Sequence, residues 1–381
     1  MKVALVHDWL VGMRGGERVL EALLDLFPTA EIFTLFHRPG STSPAIEARP
    51  IHTSFLDRLP GARRAYRHLL PLFPRAVESL DVRGFDLVVS SSHCVAKGVR
   101  VPAGTPHLCY CHTPMRYLWD QYDAYFARGR ASVPVRLAMR AVAPRLRAWD
   151  VRTARGVDRF VANSTAVRER IRRIYRRDAS VVHPPVDVER FHATGERDGP
   201  YLVLGALQPY KRVDLAVEAF RGLDRPLVVV GGGRVPRAMR ARAGNRVAFL
   251  GHLPDQDVSR ILARARALIL PGVEDFGIGV VEALASGTPV IALGEGGALD
   301  TVRPAACEAG SNGFPPATGV LFAEPTPAAL ADAVRRFEAM TFDTDALVAA
   351  ARPFRRERFL QEMRREVDAV LAGDRSAEVA A

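Results

Sequence analysis

Lysine is scarce in this chain: three residues among 381, beside fifty arginines. Cysteine is nearly as rare, with four residues and no repeated spacing. That count excludes a disulfide framework and the small secreted scaffolds that depend on one. The stretch Cys109-Tyr110-Cys111-His112 resembles a metal site at a glance, but two small buried thiols in a strand account for it. No apolar run reaches the roughly 18–20 residues that a membrane-spanning helix needs. The start, MKVALVHDWLVGMRGGE, meets Asp8 too soon and has no small-residue cleavage site, so it reads as a strand and not a signal peptide. No His/Cys cluster has metal-ligand spacing. No nucleic-acid-binding motif is present either. These absences predict a cytoplasmic protein with no metal site and no nucleic-acid partner.

What is present is the composition of an ordinary globular protein, 48% hydrophobic and 25% charged. Its length predicts about two domains. The net charge of +11 is uneven: residues 1–190 hold 30 Lys and Arg against 18 Asp and Glu, while residues 191–381 hold 23 against 24. Between residues 128 and 155 stand eight arginines and one acid, Asp150. A second basic cluster is RLPGARRAYRHLLPLFPR (58–75), where arginine and apolar residues interleave. An ordinary solvated face in an arginine-rich protein explains much of this. An anionic membrane surface is the first functional alternative and nucleic acid the second.

Strand and helix patterns alternate along the chain. KVALVHDWL is a continuous apolar run, as a strand buried on both faces should be. GMRGG breaks it, and ERVLEALLDLF has helical spacing up to Pro28. FDLVVSSS, HLCYCHTP and RFVANS continue the series, with Asn163-Ser164 placed to cap the helix that follows. A second series begins near residue 200 with YLVLGAL, PLVVVGGG, VAFLGHL, ALILPG and PVIALG, each followed by a helical or glycine-rich stretch. This predicts an α/β fold of two doubly wound, Rossmann-like domains with mostly parallel sheets. The expected boundaries are 1–190 and 191–352, joined by the linker HPPVDVERFHATGERDGP. The tail 353–375 reads as one amphipathic helix.

In doubly wound folds, ligands bind at the carboxyl ends of strands. One such place is EDFGIGVVEALASGTPVI (274–291), which puts Glu282 inside an apolar helix pattern. The loop residues Phe276 and Gly277 precede a helix that starts near Ile278, and free N–H groups at such a start favour a phosphate or diphosphate. A carboxylate beside a diphosphate would repel it, so Glu274 and Glu282 should contact neutral hydroxyls, which a carboxylate can take in pairs. A diphosphate flanked by hydroxylated sugars is a nucleotide-sugar. QPYKR (208–212) follows the strand YLVLGAL and supplies Lys211 and Arg212 for the diphosphate. In the first half, Gly15 and Gly16 allow close backbone approach at a helix start. Each of these signals alone has a structural explanation: a solvent-facing glutamate, a tight glycine turn. They occur together, in order, after the right strands.

With these residues in place, the chain resembles the glycosyltransferases of family 4, retaining and nucleotide-sugar-dependent enzymes of the GT-B fold. The motif E-x-F-G-x-x-x-x-E-A-x-A-x-G-x-P-V-I stands here ungapped from Glu274 to Ile291. GGERV, VANSTAVRERI, VVHPPVD, PYKRVDLAVEAF and GGALDTV extend the likeness through most of the chain. HDWL, CHTPMRYLWDQY and PYKRVD look like members that build bacterial surface polysaccharides, mannosyltransferases among them. The resemblance implies two domains facing across a cleft, with the first on the acceptor side and the C-terminal helix crossing back to it. It implies that Glu274 contacts donor-sugar hydroxyls, Glu282 the ribose, Lys211 the diphosphate, and Gly15 and Gly16 the transferred sugar and phosphate. His112 would stand near the reacting centre and the acceptor; a histidine hydrogen-bonded at a strand end is the structural alternative. The family often has an arginine ahead of the lysine, where this chain has Ala206, and Arg212 is the candidate replacement.

The expected reaction moves a sugar from a nucleotide-sugar, GDP-mannose favoured over a UDP-sugar, to a hydroxyl of a saccharide acceptor. A lipid-linked acceptor would suit an enzyme resting peripherally on the inner membrane face. No cofactor or metal is implied, because enzymes of this fold use basic side chains and helix starts instead. Three rival readings are a nucleotide-sugar 2-epimerase of the same fold, a glycoside hydrolase or phosphorylase, and a non-catalytic arginine-rich protein that docks on anionic lipid or nucleic acid.

Overall fold

The computed structural model describes residues 1–304 and 316–379, and the chain folds as two units: Met1–Pro185 with Arg356–Ala381, and Val186–Arg355. In unit 1, β1 (Val3–His7) is buried at every position, as its apolar run requires. It is followed by β2 (Glu31–Thr34), β3 (Ile51–Thr53), β4 (Leu87–Ser92), β5 (His107–Cys111), β6 (Arg159–Ala162) and β7 (Ser180–Val181). All pair in parallel, in the order β3-β2-β1-β4-β5-β6-β7. The order reverses between β1 and β4, so a crevice opens at their carboxyl ends.

Three helices of unit 1 matter below: α1 (Gly15–Leu26), α2 (Val133–Ala154) and α3 (Thr165–Tyr175). Helix α1 buries Val19, Leu20, Leu23 and Leu24, the stripe its spacing predicted. Ser164 caps α3, its side chain accepting from the Val167 N–H at 3.2 Å. The lone acid of the arginine-rich stretch, Asp150, is buried. It accepts from Lys97 Nζ at 2.9 Å, from the Trp119 indole at 2.8 Å and from the Tyr175 hydroxyl at 3.0 Å. That acid is therefore the counter-ion of one of the three lysines, and the pair is a structural one. Cys109 and Cys111 are buried free thiols in β5.

Unit 2 repeats the plan. Strands β8 (Tyr201–Leu204), β9 (Leu227–Val230), β10 (Val247–Gly251), β11 (Leu268–Leu270), β12 (Val290–Leu293) and β13 (Gly319–Phe322) pair in parallel as β10-β9-β8-β11-β12-β13. The switch point lies between β8 and β11. Helix α4 (Val213–Arg221) follows the loop after β8, and α5 (Ile278–Ala285) follows the loop after β11.

The expected single tail helix is broken. Residues Arg352–Phe354 form a 3-10 turn, Arg355 is extended, and the helix proper is α6 (Arg356–Leu371). The break has a packing cause: the Phe354 carbonyl accepts from Val186 N–H at 2.9 Å, and its ring meets Phe276 at 5.5 Å. Phe354 thus belongs to unit 2, while α6 belongs to unit 1. There Phe359, Met363, Val367 and Val370 join the core that holds β1 and α1. Arg159 and Glu366 pair at 2.6 Å beside them. Phe359 is 1% exposed and meets the Tyr110 ring at 5.7 Å. Phe359→Ala should cost about 3–5 kcal/mol, and thermal unfolding would register it as a clear drop in Tm. An unaltered Tm would mean that α6 adds little to unit 1.

Candidate functional site

The crevice at the carboxyl ends of β8 and β11 gathers most of the residues singled out in unit 2. The loop after β8 carries Lys211, and the loop after β11 carries Glu274. Lys211 Nζ donates to Glu274 Oε1 at 2.5 Å, and both side chains are mostly buried, 15% and 17% exposed. Gly205 makes room for this pair. It has φ +123°, and a Cβ there would lie 2.5 Å from Lys211 Nζ. The loop after β12 locks onto the same place: Gly297 N–H donates to the Glu274 carbonyl at 2.9 Å. A Cβ on Gly297 would meet Phe276 Cα at 2.3 Å, so a side chain would push the Glu274 loop out of position.

Gly277, in the left-handed region, leads into α5, and no side chain caps that helix start. On α5, Val280, Val281, Ala283, Leu284 and Ala285 are buried, while Ile278, Gly279 and Glu282 are half-buried. Those three positions lie on one helical face. Glu282 is therefore a polar group on the accessible strip of an otherwise buried helix, and that strip begins at the uncapped N-terminus. Arg190 Nη2 reaches Glu282 Oε1 at 3.4 Å and also pairs with Asp255. Arg190 sits in the linker stretch and was not singled out from sequence; only its fold-back onto α5 gives it a role.

The basic pair Lys211-Arg212 diverges. Arg212 has a left-handed backbone, φ 47° and ψ 40°, where the 3-10 turn Pro209–Lys211 passes into α4. Its guanidinium donates to Asp214 at 3.3 Å, and its side chain is 38% exposed. A non-glycine residue in that conformation costs about 1–2 kcal/mol. Consecutive side chains on either side of such a kink point different ways. Only Lys211 meets Glu274.

Unit 1 has its own polar cluster, at the carboxyl ends of β1, β4 and β5. Gly15 opens α1, and a Cβ on Gly16 would stand 3.4 Å from His7 Cε1 and 3.8 Å from His112 Nε2. His112 Nε2 and Ser91 Oγ are 2.8 Å apart, and Ser91 Oγ is 3.1 Å from His7 Nδ1. Glu17 Oε1 lies 3.9 Å from His7 Nε2. Asp8 is fully buried and accepts from the N–H groups of His93, Cys94, Val95 and Ala96 at 2.6–3.0 Å, and it pairs with His93 Nδ1 at 2.9 Å. Burial alone would raise the Asp8 carboxyl; His93 and these amides outweigh it and hold the group well below the usual carboxylate range. Glu17 is likewise held low, because its contact with His7 outweighs burial. Burial, with His93 and His7 close by, pushes His112 well below the ordinary histidine range, so its ring is neutral at pH 7. His112 was legible in sequence as the residue after a strand. His7, Glu17 and Ser91 were not, because strand and helix patterns explain each of them until the fold brings the three together.

Comparison with known proteins bears on both units. The family model described as Glycosyltransferase Family 4 matches residues 13–190, and that described as Glycosyl transferases group 1 matches residues 188–352. Among curated relatives, a D-rhamnosyltransferase, WbpZ, of Pseudomonas aeruginosa is 30% identical over 118 residues, 29% of this chain and 31% of its own. A D-inositol 3-phosphate glycosyltransferase of Mycobacterium marinum is 30% identical over 172 residues, 38% of this chain and 37% of its own. A GDP-mannose-dependent monoacylated alpha-(1-6)-phosphatidylinositol monomannoside mannosyltransferase of Corynebacterium glutamicum is 41% identical over 93 residues, 22% of this chain and 24% of its own. The chain thus spans between 24% and 37% of the length of these curated relatives. Likeness of fold runs further. Sucrose-phosphate synthase of Thermosynechococcus elongatus superposes with TM-score 0.69 at 19% identity, over 98% of this chain and 100% of that one. HepE of Anabaena, in complex with UDP and glucose, gives 0.65 at 16% identity, over 96% and 99%.

Proposed function

The chain belongs to the glycosyltransferases of family 4, and from that premise we propose that it transfers a hexose, with retention, from a nucleotide-sugar to a saccharide hydroxyl. The observation that carries this reading is the Lys211–Glu274 pair at the switch point of unit 2, one loop away from the uncapped start of α5. A diphosphate suits that place. The ammonium of Lys211 would exchange its carboxylate partner for phosphate, the α5 amides would take further oxygens, and Glu274 would be released to the donor-sugar hydroxyls. Glu282 on the accessible strip of α5 would take the ribose. Charge building on the leaving diphosphate is stabilised by the same groups without a divalent ion. In unit 1, Gly15, Gly16 and His112 would serve the transferred sugar and the acceptor.

GDP-mannose is the proposed donor. The support is the 41% identity over 93 residues to the GDP-mannose-dependent mannosyltransferase of Corynebacterium glutamicum. Calorimetric titration of GDP, UDP and ADP into the purified chain tests donor and class together. GDP should bind in preference to the others. Tight UDP binding would replace the mannose reading with a UDP-sugar, and no binding of any of the three would end the proposal.

The proposed acceptor is lipid-linked, and the proposed support surface is an anionic bilayer. Helix α2 buries Met139, Ala143, Leu146 and Trp149 but leaves Val133 61%, Val135 36% and Leu137 63% exposed. Arg128, Arg130, Arg140 and Arg145 accompany them. Leu59 and Leu72, at 44% and 38%, are exposed on the second basic segment, with Phe55, at 44%, just ahead of it; that segment packs on the same core cluster. Apolar side chains among arginines match the headgroup layer of an anionic membrane, where each basic residue contributes about 1 kcal/mol. Co-sedimentation with vesicles rich in phosphatidylglycerol should be strong at low salt and fall with added salt and in Leu137→Asp. Absence of binding at low salt would remove the membrane from the reading.

A further inference from the structure

Four side chains of unit 1, drawn from four segments, stand in line: Glu17 of α1, His7 of β1, Ser91 of β4 and His112 after β5. Their successive separations are 3.9, 3.1 and 2.8 Å. Glu17, His7 and Ser91 are 4%, 0% and 1% exposed. Three polar groups this deep, contributed by separate elements, are not a local turn motif; a buried polar chain of this kind is costly unless its members satisfy one another.

The chemistry of the line fixes which way its protons point. A neutral imidazole has one N–H and one lone pair. The carboxylate of Glu17 faces His7 Nε2 at 3.9 Å, beyond hydrogen-bond length, and that buried nitrogen has no hydrogen-bond partner among the described residues, so charge alone places the N–H there; a lone pair would face an anion. His7 Nδ1 is then a lone pair, and it accepts from the Ser91 hydroxyl. With its one proton directed to His7, the Ser91 oxygen accepts from Nε2–H of His112. Nδ1 of His112 is left unprotonated. Among the described residues, Ser91 is the hydrogen-bond partner of that ring. His93, the third imidazole of the cluster, is tied to Asp8 and stands outside the line. Gly16 packs against both rings without a side chain to displace them.

We propose that Glu17, His7 and Ser91 are a positioning relay that holds His112 as its Nε2–H tautomer, so that its Nδ1 meets substrate as a hydrogen-bond acceptor for a sugar hydroxyl. This rests on the reading of His112 as a substrate-contacting residue. A tautomer fixed in advance spares the site any reorganisation when the hydroxyl arrives. It also selects a donor group: Nδ1 receives an O–H and rejects a bare carbonyl or phosphate oxygen.

The test is nuclear magnetic resonance of the full chain carrying isotope-labelled histidine, ligand-free, at about pH 8, above the ordinary histidine pKa of about 6.5. Long-range proton–nitrogen correlations report which ring nitrogen bears hydrogen, and His112→Gln identifies the His112 signals. Wild type should show a protonated Nε2 and a bare Nδ1 at both His112 and His7. Ser91→Ala should lose the preference at His112 and give averaged nitrogen shifts. Ser91→Thr, which keeps the hydroxyl, should restore it. Glu17→Gln, which keeps the shape, should loosen the preference at His7. A protonated Nδ1 on wild-type His112, or an unaltered His112 tautomer in Ser91→Ala, would overturn the relay. No nucleotide is present, so these outcomes are separate from those of the titration that tests sugar transfer.

Discussion

Glu274→Ala should reduce turnover of a nucleotide-sugar by roughly a few hundred-fold or more, because two hydrogen bonds to a charged group are worth about 1.5–3 kcal/mol each. The structure adds a second expectation that separates this residue from a mere support. Glu274 is the carboxylate partner of Lys211, at 2.5 Å. A diphosphate that takes Lys211 must displace that carboxylate. Removing Glu274 removes that competing carboxylate, so affinity for the nucleoside diphosphate should hold or rise while turnover collapses. Lys211→Ala should do the reverse to binding and weaken it by about ten- to hundred-fold, the worth of one or two charge-assisted contacts. Steady-state turnover and calorimetric affinity, measured on the same preparations, read the split. Glu274→Gln keeps the volume and is the control for lost packing. Turnover near wild type in Glu274→Ala would take Glu274 out of the reaction, and unchanged nucleotide affinity in Lys211→Ala would take the diphosphate away from Lys211.

Glu282→Ala should act on affinity and leave turnover at saturating donor close to wild type. A carboxylate that holds two ribose hydroxyls contributes to ground state and transition state alike, which lowers KM without raising kcat. The expected loss of nucleotide affinity is about a hundred-fold or more. Arg190 reaches the same carboxylate at 3.4 Å and is itself engaged with Asp255. Arg190→Ala should therefore give a smaller loss, through a glutamate that is free to turn. Nucleotide affinity untouched by Glu282→Ala would sink the ribose role and leave Glu282 as the structural partner of Arg190.

Much of the fold was legible residue by residue. Central strands such as VALVH and VIAL are apolar runs, because a strand covered on both faces has no solvent side to mark. Helix α1 shows its buried stripe in its spacing, and Ser164 announces the start of α3. The tail helix was legible in kind and not in extent. Nothing in RPFRRERF distinguishes Phe354 from Phe359, and only the partner rings, Phe276 for one and Tyr110 for the other, divide them between units. The arginine excess was legible as charge. That its one acid, Asp150, is spent on Lys97 was not, because the two are far apart in sequence and meet only through the packing of α2.

The site divides in the same way. Glu274, Gly277, Ile278 and Glu282 are neighbours in sequence, and a helix starting at residue 278 places Ile278 and Glu282 on one face by its own period. Sequence by itself determined that strip, the loop that leads into it, and the two-unit α/β plan, because each follows from local spacing and strand burial. Tertiary structure alone decided which basic residue joins it. Lys211 and Arg212 are adjacent and chemically alike, and a left-handed backbone at Arg212 sends one to Glu274 and the other to Asp214. The line of Glu17, His7, Ser91 and His112 was likewise decided by tertiary structure. Its members come from four segments that meet only where the strand order reverses, and no local pattern encodes a contact between segments that distant.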